Sequence, residues 1–243
     1  MGAVLKAEHL KWKRTFGKYL PVIGPAITLF SALALGGMAK TFSAGAWNWW
    51  YAALLPGTLA VMCYLCDSRD RKNRYHSLKG LPVSGGKLML GKVVYLSLGL
   101  SASNGVLFLG TALGGAVFGS TISLGNGALA AVLLTLSFLW EIPLYLFLSA
   151  RFGLFADIFA SMVISFGSVA AVADKNCWWV FPSAIPVRLM CPVLGLHPNG
   201  LPLPDGSALC STDVILPGVF LSLGWFLVCA GLLGLWFEKR EAA

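Results

Sequence analysis

Six stretches of this chain, each of about 20 residues, are almost wholly apolar, and no single globular core can absorb that many. They fall at about 19–38, 49–66, 92–118, 127–150, 154–173 and 214–237. At about 1.5 Å of rise per residue, each is long enough to cross the hydrocarbon layer of a bilayer as a helix. Only 12% of the residues are charged against 57% hydrophobic, and the charges cluster between the runs. This pattern excludes a soluble domain. It predicts an all-α polytopic membrane protein, one domain over 1–243 with six transmembrane helices.

Basic residues orient the spans. With both termini on the cytoplasmic side, all but three of the 18 Lys and Arg residues fall inside, the exceptions being Lys40, Lys175 and Arg188. That asymmetry is the positive-inside rule. The net charge of +8 therefore marks loops that flank a membrane and not a nucleic-acid surface. The basic head followed by an apolar run and Ser31–Ala34 mimics a cleavable leader. Because the head is long and helix-like, it is read as the lead-in to an uncleaved first span.

Residues 1–16 predict an amphipathic helix lying in the inner interface, with Val4, Leu5, His9, Trp12 and Phe16 on its apolar face. Lys6, Glu8, Lys11, Lys13 and Arg14 fill the opposite face. Trp47, Trp49, Trp50 and Tyr51 end a short outer loop and are expected at headgroup depth. The most charged stretch, 67–92, is expected as an inner loop carrying Arg69, Arg71, Lys72, Arg74 and Tyr75, with a turn over Leu78–Pro82. It reads equally as a set of lipid anchors and as a docking surface for a cytoplasmic partner. The outer segment 174–213, rich in proline and aromatic residues, predicts a short helix lying on the outer leaflet. It either caps the bundle or helps to handle an outer-leaflet ligand. Cys177, Cys191 and Cys210 fall on this side, and no pairing among them is assigned.

Among candidate chemical groups, Glu141 stands out. It lies ten residues before Arg151 and so near the middle of the bilayer, where a carboxylate must face the bundle. Two readings stay open: a polar point on a conduit, or a structural Glu beside the bend expected at Pro143. A proton relay is disfavoured because no second mid-span acid is evident. Asp157 is expected to cap its helix or pair with Arg151, and Asn104 interrupts the third span. Gly80–Lys87 superficially resembles a phosphate-binding loop, but its spacing is wrong and Leu88 stands where a Mg²⁺-ligating hydroxyl belongs. The three histidines are scattered, and no serine sits in a nucleophile-elbow context. No metal site and no catalytic residue is assigned.

The ordered residues resemble the permease subunits of lantibiotic-immunity ABC transporters, of the MutE/EpiE type within the ABC-2 permease class. The likeness rests on Lys6–Phe16, Trp47–Gly57, Ser77–Pro82, Phe138–Pro143, and above all Ala173–Pro192 with His197–Leu201, closing on Trp236–Arg240. The resemblance implies a non-catalytic membrane half in a bacterial plasma membrane. It implies a second related permease, and a separate ATP-binding subunit that holds ATP and Mg²⁺. The cargo would be a lantibiotic peptide, expelled from the membrane to the exterior. Residues 1–18 would be the elbow helix and 67–91 the coupling loop, with Arg69, Arg71, Lys72, Arg74, Tyr75, Leu78, Pro82 and Arg151 facing the ATPase. The segment 174–213 would be extracellular or re-entrant, and Trp47, Trp49, Trp50, Trp178, Trp179 and Arg188 would lie near the substrate. Glu141 and Asn104 would form a polar site between the helices. The glycines at 36, 37, 114 and 115 depart from such relatives and mark either tighter packing or a different helix partner. Two alternatives remain: an exporter or a sensing or assembly component for another amphiphile, and an ion-coupled secondary transporter.

Overall fold

The computed structural model describes residues 2–13, 15–36, 38–72, 85–204 and 206–242, with the backbone alone at Arg69 and 240–242. The chain is an all-α bundle. Its helices are α1 (Gly2–Lys13), α2 (Leu20–Gly36), α3 (Phe42–Trp49), α4 (Leu55–Lys72), α5 (Gly85–Phe118), α6 (Leu124–Phe138), α7 (Glu141–Phe152), α8 (Leu154–Ala171), α9 (Ala184–Leu194) and α10 (Ile215–Ala242). Five segments are long and apolar enough to cross a membrane, and α6 with α7, bent by 46°, supplies a sixth when counted as one span. The ends of α4, α5, α7 and α10 that carry Arg71, Lys92, Arg151 and Lys239, together with α1, form the basic end of the bundle.

Proline chemistry sets both irregularities in the spans. Pro56 has no N–H to give the carbonyl of Ala52. Trp50–Leu54 widens there into a π turn, in which Leu55 N–H reaches Trp50 O. The Ala52 carbonyl accepts instead from Ser165 Oγ of α8 at 2.6 Å. In the same way Pro143 cannot serve Leu139, whose carbonyl accepts a tight bond from Ile142 N–H at 3.2 Å. The break expected at Pro143 therefore falls just before it, and it makes Glu141 the first residue of α7.

Small residues let helices approach closely. A methyl group on Gly91 would come within 2.3 Å of Val4 Cγ1, so α1 lies directly on the backbone of α5. A methyl group on Gly114 would meet Phe42 at 2.2 Å, which bears out tight packing at that glycine. Gly115 is likewise crowded, by Ser120. Gly36 has open space around it, and Gly37 lies outside the described residues.

Several boundaries and faces differ from expectation. α3 starts at Phe42, so the outer loop is shorter, and Trp47, Trp50 and Tyr51 are wholly buried in the bundle instead of facing outward. Only Trp49, 45% exposed, faces outward. α9 does not lie on the surface: every residue from Ala184 to Leu194 except Pro192 is buried against α6, α8 and α10. In α1 the inward face is Val4, Glu8 and Trp12, one turn apart, while His9 is exposed. Phe16 lies past the end of that helix and is 62% exposed.

Candidate functional site

The expected inner loop is partly helix, since α4 runs on to Lys72 and α5 begins at Gly85. Its charges consequently face one another. Lys92 Nζ lies 2.8 Å from Asp67 Oδ1 and 2.8 Å from Asp70 Oδ2. Lys11 Nζ reaches Asp70 Oδ2 at 2.9 Å and Glu8 Oε1 at 2.8 Å. Glu8, Asp67, Asp70 and Lys92 are all buried. Two cations meeting three carboxylates join α1, α4 and α5 in one network. Burial opposes charge on Asp70, but Lys92 and Lys11 outweigh it and hold this carboxyl below its usual range. On Lys11 burial is likewise overcome, here by Glu8 and Asp70, and its ammonium is held above the ordinary lysine value.

A second group of buried polar atoms lies on the inward faces of α7 and α8, which both pack against α4. Glu141, Tyr145 and Ser149 stand one turn apart on the inward face of α7, and Asp157, Ser161, Ser165 and Ser168 do the same on α8. Gly153, at φ +90°, makes the sharp turn between the two helices. The serines on α8 are satisfied, for example Ser161 Oγ donating to Ile158 O at 2.8 Å. The rest are not. Glu141 Oε2, the Tyr145 hydroxyl, Ser149 Oγ and both Asp157 carboxylate oxygens have no hydrogen-bond partner among the described residues. Arg71 closes the basic end of this column: its Nη1 donates to Ser149 O at 2.8 Å, and the guanidinium lies over the Tyr64 ring. A cation at the last turn of α7 also complements the helix dipole.

The sequence-derived residues divide accordingly. Arg71 is half-buried and turned inward, whereas Lys72 and Arg151 are exposed at the basic end. Arg74, Tyr75, Leu78 and Pro82, and the side chain of Arg69, lie outside the described residues. Asp157 does not pair with the exposed Arg151; it is buried, and the cation that acts on it is Arg71. Asn104 and Glu141 belong to different networks. Asn104 accepts from Trp50 Nε1 at 2.8 Å and donates to Thr135 Oγ1 at 2.9 Å. Arg188 is only 7% exposed and donates to the carbonyls of Leu209 and Ala208, bracing α9 against the loop that follows. Trp178 is half-buried and Trp179 exposed. All six cysteines are free, Cys191 being buried.

At the end opposite the basic cluster, a cavity of about 310 Å³ lies between α3, α5 and α6, lined by residues including Ser43, Trp47, Phe108 and Thr111. Trp47 is the outer aromatic that reaches it. The loop after α9 folds down beside α3, where Asn48 Nδ2 donates to the Tyr51 hydroxyl at 2.9 Å and to Pro198 O at 3.4 Å.

The inward stripe on α8 was open to sequence reading. Its outward residues are Phe155, Phe159, Val163 and Phe166, so the polar set at four-residue intervals marks the buried face. No protein-family model matches the chain, and no curated protein or solved structure is detectably similar to it. The geometry defines a multi-spanning helical membrane protein whose shape suits transport in general.

Proposed function

We propose that the chain is the membrane-spanning permease subunit of an ABC transporter that protects a bacterium against lantibiotics by ATP-driven expulsion of the peptide from the membrane. The observation that carries the reading is α1, a short N-terminal helix laid on α5 and held at the basic end by Lys11, Asp70 and Lys92. A helix so placed resembles the elbow of such permeases and ties the first spans to the face that an ATP-binding subunit would press. Exposed Lys72 and Arg151 at that face supply cationic docking points. ATP and Mg²⁺ would be held by the partner ATPase, and a second related permease would complete the membrane half. The cavity beside Trp47, at the opposite end, offers an apolar bay for part of an amphiphilic peptide.

The test is peptide tolerance in a sensitive bacterium that expresses this chain with an ATPase and a second permease. Tolerance that disappears when this chain is omitted, or when the ATPase is inactivated, supports the reading. An assembled complex that confers none overturns the peptide assignment and leaves another amphiphile as cargo. For coupling, Lys72→Glu is cleaner than any change at Arg71, which also braces α7. Weaker co-purification of the ATPase with unchanged membrane insertion is expected.

A further inference from the structure

Buried acids in a membrane bundle need a counter-charge, a set of donors, or a proton. Glu141 and Asp157 are 2% and 0% exposed; Glu141 Oε2 and both Asp157 oxygens have no hydrogen-bond donor among the described residues, and the charge of Arg71 reaches Asp157 without forming a salt bridge. They are not an isolated acidic cluster, because the hydroxyls of Tyr145 and Ser149, buried and unpartnered themselves, belong to the same column. Tyr145 lies beside Glu141, and Asp157 lies close enough to Tyr145 and Cys63 for its charge, when present, to be felt at both.

We propose that Glu141 and Asp157 are two internal proton-binding sites, one at the bend that opens α7 and one in the first turn of α8, each carried as an uncharged carboxylic acid in this state of the bundle. The step is a simple protonation: each carboxylate gains one proton and one O–H bond, and releases the same proton when it ionises. The sites go beyond the transport reading above and do not depend on which cargo moves. Among the described residues no three His, Cys, Asp or Glu side chains gather as a metal site requires, so the ligand is the proton and not a divalent ion.

The surroundings are consistent on every side. From α4 come Cys63, Asp67 and Arg71; Cys63 Sγ donates to Ile142 O at 3.8 Å, and Lys92 of α5 stands behind Asp67. Cys229 of α10 faces the opposite side of α7, across a groove lined by Pro143 and Phe147. Arg188 and Cys191 of α9, and Tyr51 of the π turn, belong to the far end. Among the described residues Arg71 is the one cation acting on Asp157, and its Nη1 donates to Ser149 O at the mouth of the column. Glu141 starts the half-span that follows the 46° bend, so gain or loss of its charge falls on the geometry there.

The test is infrared difference spectroscopy of the purified chain in lipid nanodiscs, titrated with acid and base. Two carboxylic-acid carbonyl bands are expected to persist above the pH at which exposed acids ionise. Glu141→Gln should remove one of them, Asp157→Asn the other, and the double variant both. Tyr145→Phe, which retains both acids, should shift the Glu141 band without removing it, an effect that loss of packing alone does not produce. Absence of such bands from monodisperse wild-type protein overturns the proposal, as does their survival in the double variant. Loss of the bands on adding sodium but not choline at fixed pH also overturns it, in favour of an alkali-cation site.

Discussion

Two sets of buried ionisable groups lie one behind the other in this bundle, and they solve the same problem differently. At the basic end, Lys11 and Lys92 meet Glu8, Asp67 and Asp70 at salt-bridge distance, and the network joins three helices. In the α7–α8 column, Glu141 and Asp157 are equally buried, yet their orphaned oxygens meet no such donor among the described residues. Burial is shared by both sets, so burial alone does not assign a role. Pairing separates them: a charge with its counter-charges supports structure, and an acid without them is free to change protonation.

The largest effect is expected from Lys92→Met. It takes the central cation away from Asp67 and leaves Asp70 with Lys11, and removing one partner from a buried ion pair typically costs about 3–5 kcal/mol. Thermal unfolding of the detergent-solubilised protein should show the largest loss of any single change considered; an unchanged midpoint would mean that the network is ornamental. Asn104→Leu comes next, at about 1 kcal/mol, the scale of a hydrogen bond between helices in a membrane. Its effect should appear in the same assay, with altered Trp50 emission, and it tests a fully paired site that carries no charge.

A smaller effect is expected from pH, read through the fluorescence of buried Trp12 as a reporter of α1 docking. The Asp70 carboxyl is held below its usual value, so its contribution is present above that value and is lost as pH falls through the depressed one. Lys11 is held above its usual value, so its share is present at ordinary pH and is lost as pH rises through the raised one. α1 should therefore stay docked across the neutral range and loosen at both extremes, with Lys11→Met abolishing the alkaline step. The smallest effect is assigned to Glu141→Gln. A buried acid that already carries its proton loses little on becoming an amide, so stability should change by about 0.5 kcal/mol or less. A cost as large as that of Lys92→Met would erase the distinction between the two regions.

The spans were legible because hydropathy reports what can enter lipid, and Pro143 marked the break between α6 and α7 through its missing N–H. Faces were harder. In water an amphipathic helix hides its apolar side; in lipid the rule inverts, and α8 shows Phe155 and Phe159 to the outside while hiding Asp157 and Ser161. Glu8 was assigned to the polar face of α1 by the aqueous rule, and it is buried because Lys11 and the carboxylates of α4 surround the same cation network. The inward position of Trp47 and Trp50 was hidden for a related reason. Aromatic residues suit both the headgroup layer and a packed core, and only the partner, Asn104 for Trp50, decides between them. The burial of α9 was equally invisible, because proline-rich apolar segments suit a surface or a re-entrant position alike.

The two prolines that interrupt the spans differ in mechanical consequence. At Pro56 the stranded carbonyl of Ala52 is held by a hydroxyl from another helix, so flexing the chain there means dragging α8 along or giving up that bond. At Pro143 the stranded carbonyl of Leu139 is met from within its own segment, by Ile142, and opening or closing the angle severs no tie to a neighbour at that carbonyl. The first break is cross-linked to another helix and the second is closed locally. Among the described residues, the bend between α6 and α7, where Glu141 stands, is thus hydrogen-bonded to its neighbours only through the Ile142 carbonyl, which accepts from Cys63 of α4, while the π turn is tied directly to α8.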